Sequence, residues 1–254
     1  MIPIIDSLSD PNLSPPAGFS RGLEPRDFDR YPFGGLAAPF DLSDIHRDEW
    51  ADRIREREFA EATLTDVMTA AKIKCKSQEN TNYCWAFGVT TAVEIMRASQ
   101  GLPTVSLSPA SMAAPIKNYR NQGGWGLEAI EYNEQNGIYP SALWPDTSRD
   151  SDHKTPEGDV IAKDYQVTEW YDLESNNFDQ LATALLLGFP CALGLDWWRH
   201  LICAVDLVMI DSRKFGVRIR NSWGSAWGED GYGILTERKS IGDAVAPRVV
   251  DHTV

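Results

Sequence analysis

Apolar positions along the chain follow two different periods. Residues 43–62 are charged and free of Pro and Gly, and Ile45, Trp50, Ile54 and Phe59 fall roughly on helical spacing, which predicts a surface helix. A second run opens at Cys84, where Trp85, Val89, Val93 and Met96 recur near every fourth position. Thr81 or Asn82 can cap its start, and Gly101-Leu102-Pro103 ends it. A third helix is predicted over 126–136, carrying Leu127, Ile130 and Tyr132 and stopping at Gly137. Beyond Tyr165 the pattern changes. Residues 191–196 read as a strand, and 201–210 is a near-continuous apolar run. After the turn-like residues 211–214, Phe215, Val217 and Ile219 alternate with polar positions, which predicts antiparallel strands. The chain is helical first and strand-rich later, with no internal repeat.

Residues 1–42 fit neither pattern. They are rich in Pro, Gly, Asp and Ser, with scattered Phe28, Tyr31, Phe33 and Phe40, and read as an extended arm. Such an arm is ordered when it lies against something, its own domain or a neighbour. A chain of 254 residues can bury one large core or two halves around a cleft. A formal charge of -13 and a pI near 4.7 argue against a nucleic-acid partner, whose phosphates would be repelled. The start has no basic segment followed by an apolar one, and no run approaches the roughly 18 apolar residues a membrane span needs. The expectation is a protein that is not secreted and not membrane-bound, located in the cytoplasm or within a larger assembly. The four cysteines, Cys75, Cys84, Cys191 and Cys203, show neither CxxC spacing nor a His/Cys cluster, so no metal, disulfide framework or cofactor is expected.

A thiol attacks a carbonyl efficiently only as thiolate, and a helix N-terminus with a nearby imidazolium lowers its pKa. Cys84 opens a helix and meets the first condition, although a cysteine before a tryptophan reads equally as a small buried hydrophobe. Six residues upstream, the Gln78 amide could donate to the oxygen that becomes negative when sulfur adds, with the Cys84 N–H as second donor.

Residues 78–87, with Gln78 six positions before Cys84-Trp85-Ala86-Phe87, resemble the active-site segment of the papain family of cysteine proteases. Residues 221–232 resemble the same family's Asn-Ser-Trp-Gly block, and residues 199–205 its His-Ala-Val strand. The resemblance covers roughly residues 65–240 and implies an α+β, papain-like fold. Its helical left half would span about 65–165 and its antiparallel β-rich right half about 166–240, around a cleft. The domain boundaries that follow are 1–64 for the arm plus surface helix and 65–254 for the protease domain. Cys84 would be the nucleophile, His200 the base and acid, Asn221 its orienter, Gln78 an oxyanion donor and Trp223 an indole lid over the His–Asn hydrogen bond. Among the four histidines, His46 lies in the charged helix, His153 in a polar loop and His252 at the terminus; only His200 begins an apolar strand. Gly123, Gly124 and Trp125 resemble the family's segment that pairs with an extended peptide through its backbone. The reaction implied is peptide-bond hydrolysis through an acyl-thioester, on a peptide or protein substrate and without a cofactor. A thiol acyltransferase uses the same Cys–His logic but gains nothing from Gln78 or Asn221.

The chain also departs from the family. Thr81 and Asn121 stand where the family has cysteines, so that disulfide cannot form, in keeping with a reducing compartment. Asn82-Tyr83 replaces Gly-Ser and brings a ring toward the cleft. Only Trp197-Trp198-Arg199 precedes His200 where the family inserts a long connection, so one cleft wall is missing or rebuilt, and Arg199 would depress the His200 pKa. Residues 1–64 lack the helical motif of the family's inhibitory prosegment. Two alternatives follow: the arm blocks the cleft, or it docks a papain-like domain into a large assembly such as a viral particle, with proteolysis reduced or lost.

Overall fold

The computed structural model describes residues 2–29, 31–32, 38–39 and 42–250, which leaves Phe33, Phe40 and His252 outside the described residues. The arm contributes two short strands, β1 (Ile4–Ile5) and β2 (Ala38–Pro39). Six helices follow: α1 (Trp50–Phe59), α2 (Leu64–Ala70), α3 (Cys84–Ser99), α4 (Ala110–Ile116), α5 (Gly126–Asn136) and α6 (Pro156–Ala162). The second half holds β3 (Val167–Asp172), α7 (Phe178–Leu186), β4 (Cys191–Leu195), β5 (His200–Asp211), β6 (Lys214–Arg220), β7 (Tyr232–Thr236) and β8 (Asp243–Val250).

The strands form one sheet in the order β1-β7-β6-β5-β4-β8-β3-β2. The six inner strands pair antiparallel, while β1 joins β7 and β2 joins β3 in parallel. Both edges are therefore covered by the arm, which satisfies edge N–H and C=O groups that would otherwise be open to another chain. Between these edges the arm crosses the molecule. Helix α3 packs on β4, β5 and β8 and is buried from Cys84 to Met96, because its apolar period is flanked by small residues that let the sheet approach. Gly88 is one of them: a Cβ there would sit 2.1 Å from Leu201 Cδ2.

The predicted α5 and the β4, β5 and β6 strands appear where the pattern puts them. The predicted surface helix is shorter. A 3-10 turn (Arg47–Glu49) precedes it, because the Ile45 N–H donates to Thr183 Oγ1 and the Trp50 indole donates to the Ile45 carbonyl, which holds the entry extended against α7. His46 accordingly sits before the helix, capping that turn. Trp50 and Ile54 are buried rather than superficial, Trp50 meeting Phe178 and Phe215 edge to face, and only Phe59 stays fully in solvent. The cap of α3 is Tyr83, with no side-chain cap bond. Thr81 Oγ donates instead to the Gln78 carbonyl, and the Asn82 amide to the Asn121 carbonyl. Helix α7, inside the strand-rich half, is not predicted by the pattern; Asn177 caps it through the Gln180 N–H, and Phe178, Leu181 and Leu185 lie on its buried side.

Candidate active site

Cys84 stands at the first position of α3 and is fully buried. The backbone N–H groups of Leu201, Gly22 and Trp85 face its sulfur, yet burial outweighs them and pushes the thiol up to about 11. Leu201 directly follows His200, so the Cys84 sulfur lies beside the first backbone groups of β5. The register in which Cys203 faces Arg220 brings the start of β5 beside the chain leaving β6, where Asn221 lies. His200 Nε2 is 2.8 Å from Asn221 Oδ1. The indole of Trp223 stacks on the imidazole at 4.5 Å, and Trp198 meets it edge-on at 5.0 Å. An amide oxygen only accepts, so Nε2 carries the proton in this bond and Nδ1 bears the lone pair. Nδ1 is buried with no hydrogen-bond partner among the described residues. Burial drives the His200 pKa down to about 3; the Asn221 bond raises it, and the Arg21 guanidinium lowers it further. The charge that acts on the imidazole thus belongs to Arg21 of the arm and not to Arg199, a correction to the expectation from sequence. Arg199 takes a left-handed turn with φ 53°, its N–H donating to the Asp196 carbonyl and its own carbonyl accepting from the Leu23 N–H.

Gln78 is buried against the Asn221 segment. Its backbone N–H donates to the Ser222 carbonyl, and its Oε1 accepts from Ser222 Oγ at 2.6 Å. Nε2 is thereby aimed at the cleft, where it donates to the Ser20 carbonyl at 3.0 Å and to Thr81 O at 2.9 Å. Ser222 was not singled out from sequence, although its place inside the Asn-Ser-Trp block was the signal available. Across the cleft, the Gly124 N–H donates to the Gly22 carbonyl at 2.9 Å and the Glu24 N–H donates to the Gly124 carbonyl at 3.0 Å. Gly123 lies under the same arm segment, and Trp125 packs edge-on against Tyr31 at 5.5 Å. The Trp223 indole also donates to Ser20 O. Gln78 and Trp223 thus bond to Ser20, Gly124 to Gly22 and Glu24, and Cys84 faces the Gly22 N–H, so arm residues 20–24 run past these positions. Among the described residues no group of His, Cys, Asp and Glu could hold a metal ion.

A model of the papain family cysteine proteases matches residues 64–204. The chain belongs to the papain family. Its relatives include Cathepsin L 2 of Paramecium tetraurelia, 28% identical over 204 residues that cover 74% of this chain and 63% of that protein. Cysteine proteinase 1 of Entamoeba histolytica is 26% identical, with 68% of this chain and 62% of that protein covered. The chain thus spans a little under two thirds of the length of these relatives. Among solved structures, xylellain, a cysteine protease from Xylella fastidiosa, matches 93% of this chain and 97% of its own with a TM-score of 0.66 at 18% identity. Digestive procathepsin L 3 of the Tenebrio molitor larval midgut matches 69% of this chain and 66% of its own with a TM-score of 0.58 at 24% identity. The fold is the α+β papain fold.

Within that family fold, two departures look different in three dimensions. The Tyr83 ring is not in the cleft; it is fully buried in the helical half, with its hydroxyl donating to Arg120 O at 2.9 Å, because the helix start turns its side chain away from the sulfur. The loop the family ties with a disulfide is tied here by amides. Asn121 Oδ1 accepts the Asn82 N–H at 2.7 Å, the Asn82 side chain donates to Asn121 O, and Asn121 Nδ2 donates to Asn80 O. All four cysteines are free thiols. The short turn 196–199 before His200 is covered by the arm: Trp198 Nε1 donates to Leu13 O at 2.8 Å and Trp227 Nε1 to Asn12 O at 2.9 Å.

Proposed function

We propose that this chain is a cysteine peptidase that hydrolyses peptide bonds through Cys84, held latent by its N-terminal arm. The 2.8 Å bond between His200 Nε2 and Asn221 Oδ1 under the Trp223 indole carries the reading, because it fixes the imidazole and leaves Nδ1 as the nitrogen with a free lone pair. Once the arm leaves and water enters, the desolvation that keeps the pair neutral is relieved. Nδ1 then takes the Cys84 proton, and the thiolate adds to the substrate carbonyl. Gln78 Nε2, spent on Ser20 O in the closed form, and the Cys84 N–H hold the oxyanion. The imidazolium gives its proton to the leaving amine, and water, with His200 again as base, resolves the thioester. An extended peptide would pair with Gly124 as the arm does.

Labelling by an epoxide cysteine-protease probe and hydrolysis of a fluorogenic peptide test the reading, measured on the full chain, on Cys84→Ala and on Gly22→Ala. A Cβ on Gly22 would sit 2.0 Å from the Asn82 carbonyl oxygen, so this variant cannot seat its arm as found. Labelling and hydrolysis that rise in Gly22→Ala and vanish on adding Cys84→Ala are the expected result. Folded proteins that neither label nor hydrolyse in any form would refute it. Adding an amine acceptor distinguishes hydrolysis from acyl transfer by the products. The bonds of Ser20, Gly22 and Glu24 to Gln78 and Gly124 support the blocking role of the arm.

A further inference from the structure

Resting on the peptidase reading, we propose that the arm is a plug the enzyme does not cut, and that Arg26 is the clasp that keeps it in the cleft. Attack requires one peptide group to present its carbon to sulfur and its oxygen to the oxyanion donor at the same time. The arm divides these roles. The arm's group facing the Cys84 sulfur is the Gly22 N–H, while the carbonyl on Gln78 Nε2 is that of Ser20, and the carbonyl joined to the Gly22 nitrogen is that of Arg21. The next carbonyl, that of Gly22, is held by the Gly124 N–H. The arm thus fills the site with hydrogen bonds and gives the sulfur and the Gln78 amide to two different peptide groups.

Arg26 follows two residues after Glu24, where pairing with Gly124 ends. Its side chain is 1% exposed, and its Nη1 and Nη2 meet Asp172 Oδ1 and Oδ2 at 2.8 and 2.9 Å. Nη1 also reaches Asp243 Oδ1 at 3.3 Å, Nε donates to Tyr31 O at 2.9 Å and Nη2 to Pro32 O at 3.0 Å. All five guanidinium donors are used in a fork a lysine cannot copy. Asp172 ends β3 and Asp243 opens β8, two strands that pair antiparallel, so the domain brings two acids together where the arm delivers a cation. Without the guanidinium, the closed form would bury two like charges that the open form hydrates. Upstream, β1 in the sheet and the Trp198 and Trp227 indoles hold the other end, so the plug is fastened on both sides of the cleft.

The test is the rate at which iodoacetamide alkylates Cys84 in the full-length chain, read by peptide mass spectrometry. Arg26→Ala is compared with Arg26→Lys and with a triple variant that adds Asp172→Asn and Asp243→Asn, so that no buried acid is left unpaired. Alkylation should rise on the order of tenfold to a hundredfold in Arg26→Ala and in the triple variant, and less in Arg26→Lys. The wild-type chain should keep residues 20–24 uncut on prolonged incubation, with the same mass pattern as Cys84→Ala. If Arg26→Ala or the triple variant, whichever circular dichroism shows folded, alkylates no faster than wild type, Arg26 is not the clasp. A Cys84-dependent cut within 20–24 of the wild-type chain would overturn the uncut plug. Alkylation reads only exposure of the sulfur, so faster alkylation without peptide hydrolysis keeps the clasp and fails the peptidase reading.

Discussion

On the helical wall of the cleft, Cys84 is fixed by residues close to it in sequence or across one loop: the first turn of α3 and the amides of Asn82 and Asn121. On the sheet wall, His200 opens β5 and Asn221 directly follows β6, and they meet because β5 and β6 pair in one register. A slip of one residue would send every side chain of β5 to the opposite face and separate the pair. The helical wall therefore tolerates local change and fails locally, whereas the sheet wall succeeds or fails as a unit. The polar groups of both walls are turned toward the arm, which hydrogen-bonds to Gly124 on one side and Arg199 on the other.

The sharpest cut at this comparison removes the sulfur on the helical wall that is proposed as the nucleophile. Cys84→Ala should lower peptide hydrolysis on the order of 10⁴-fold, measured in the Gly22→Ala background, with the melting temperature little changed. On the sheet wall, Asn221→Ala should lower kcat by about a hundredfold while leaving KM near its value, since the imidazole loses its orientation and the substrate its contact with neither wall. An equal loss on KM alone would place Asn221 in substrate binding instead.

Acid and base should strain the walls in opposite windows. The His200 pKa falls from 6.5 to about 3 in the closed form, so its contribution to stability is present above 6.5 and is lost as pH falls toward 3. The Cys84 pKa rises from 9.0 to about 11, so its contribution is present below 9.0 and is lost as pH rises toward 11. Denaturant titrations should therefore find a plateau between these limits, with a slope of up to about 1.4 kcal/mol per pH unit from His200 on the acid side. His200→Gln should flatten that limb; an unchanged acid limb would show that other groups govern it. The smallest expected effect is Asn121→Ala, which strands the Asn82 N–H and should cost about 1–3 kcal/mol in denaturant unfolding. A change in hydrolysis without that loss would mean the loop serves the substrate rather than the fold.

The same contrast explains what could be read from sequence. The helix at Cys84 and the strands 201–210 and 215–219 announce themselves by period, and the Gln78, His200 and Asn221 positions by their spacing in resembling blocks. The true cap at Tyr83 could not be read, because Thr81 and Asn82 spend their side chains on Gln78 and Asn121, partners that only the fold brings near. Nor could Arg21 beside His200, or Arg26 between Asp172 and Asp243, since a charge in a Pro/Gly-rich arm has no period and its partners lie far away in sequence. Ser222 needed only the question of what holds the Gln78 amide in place.

Replacing a disulfide by the Asn82–Asn121 amides has a consequence for how the molecule is made and handled. Hydrogen bonds re-form as fast as the chain collapses, so this loop needs no oxidant and no shuffling of wrong pairings on the way to the native state. They also ignore reductant. Conditions harsh enough to keep the Cys84 sulfur free of oxidation leave the loop beside it intact, so the chain can be purified and refolded in the same strongly reducing buffer that preserves its thiol.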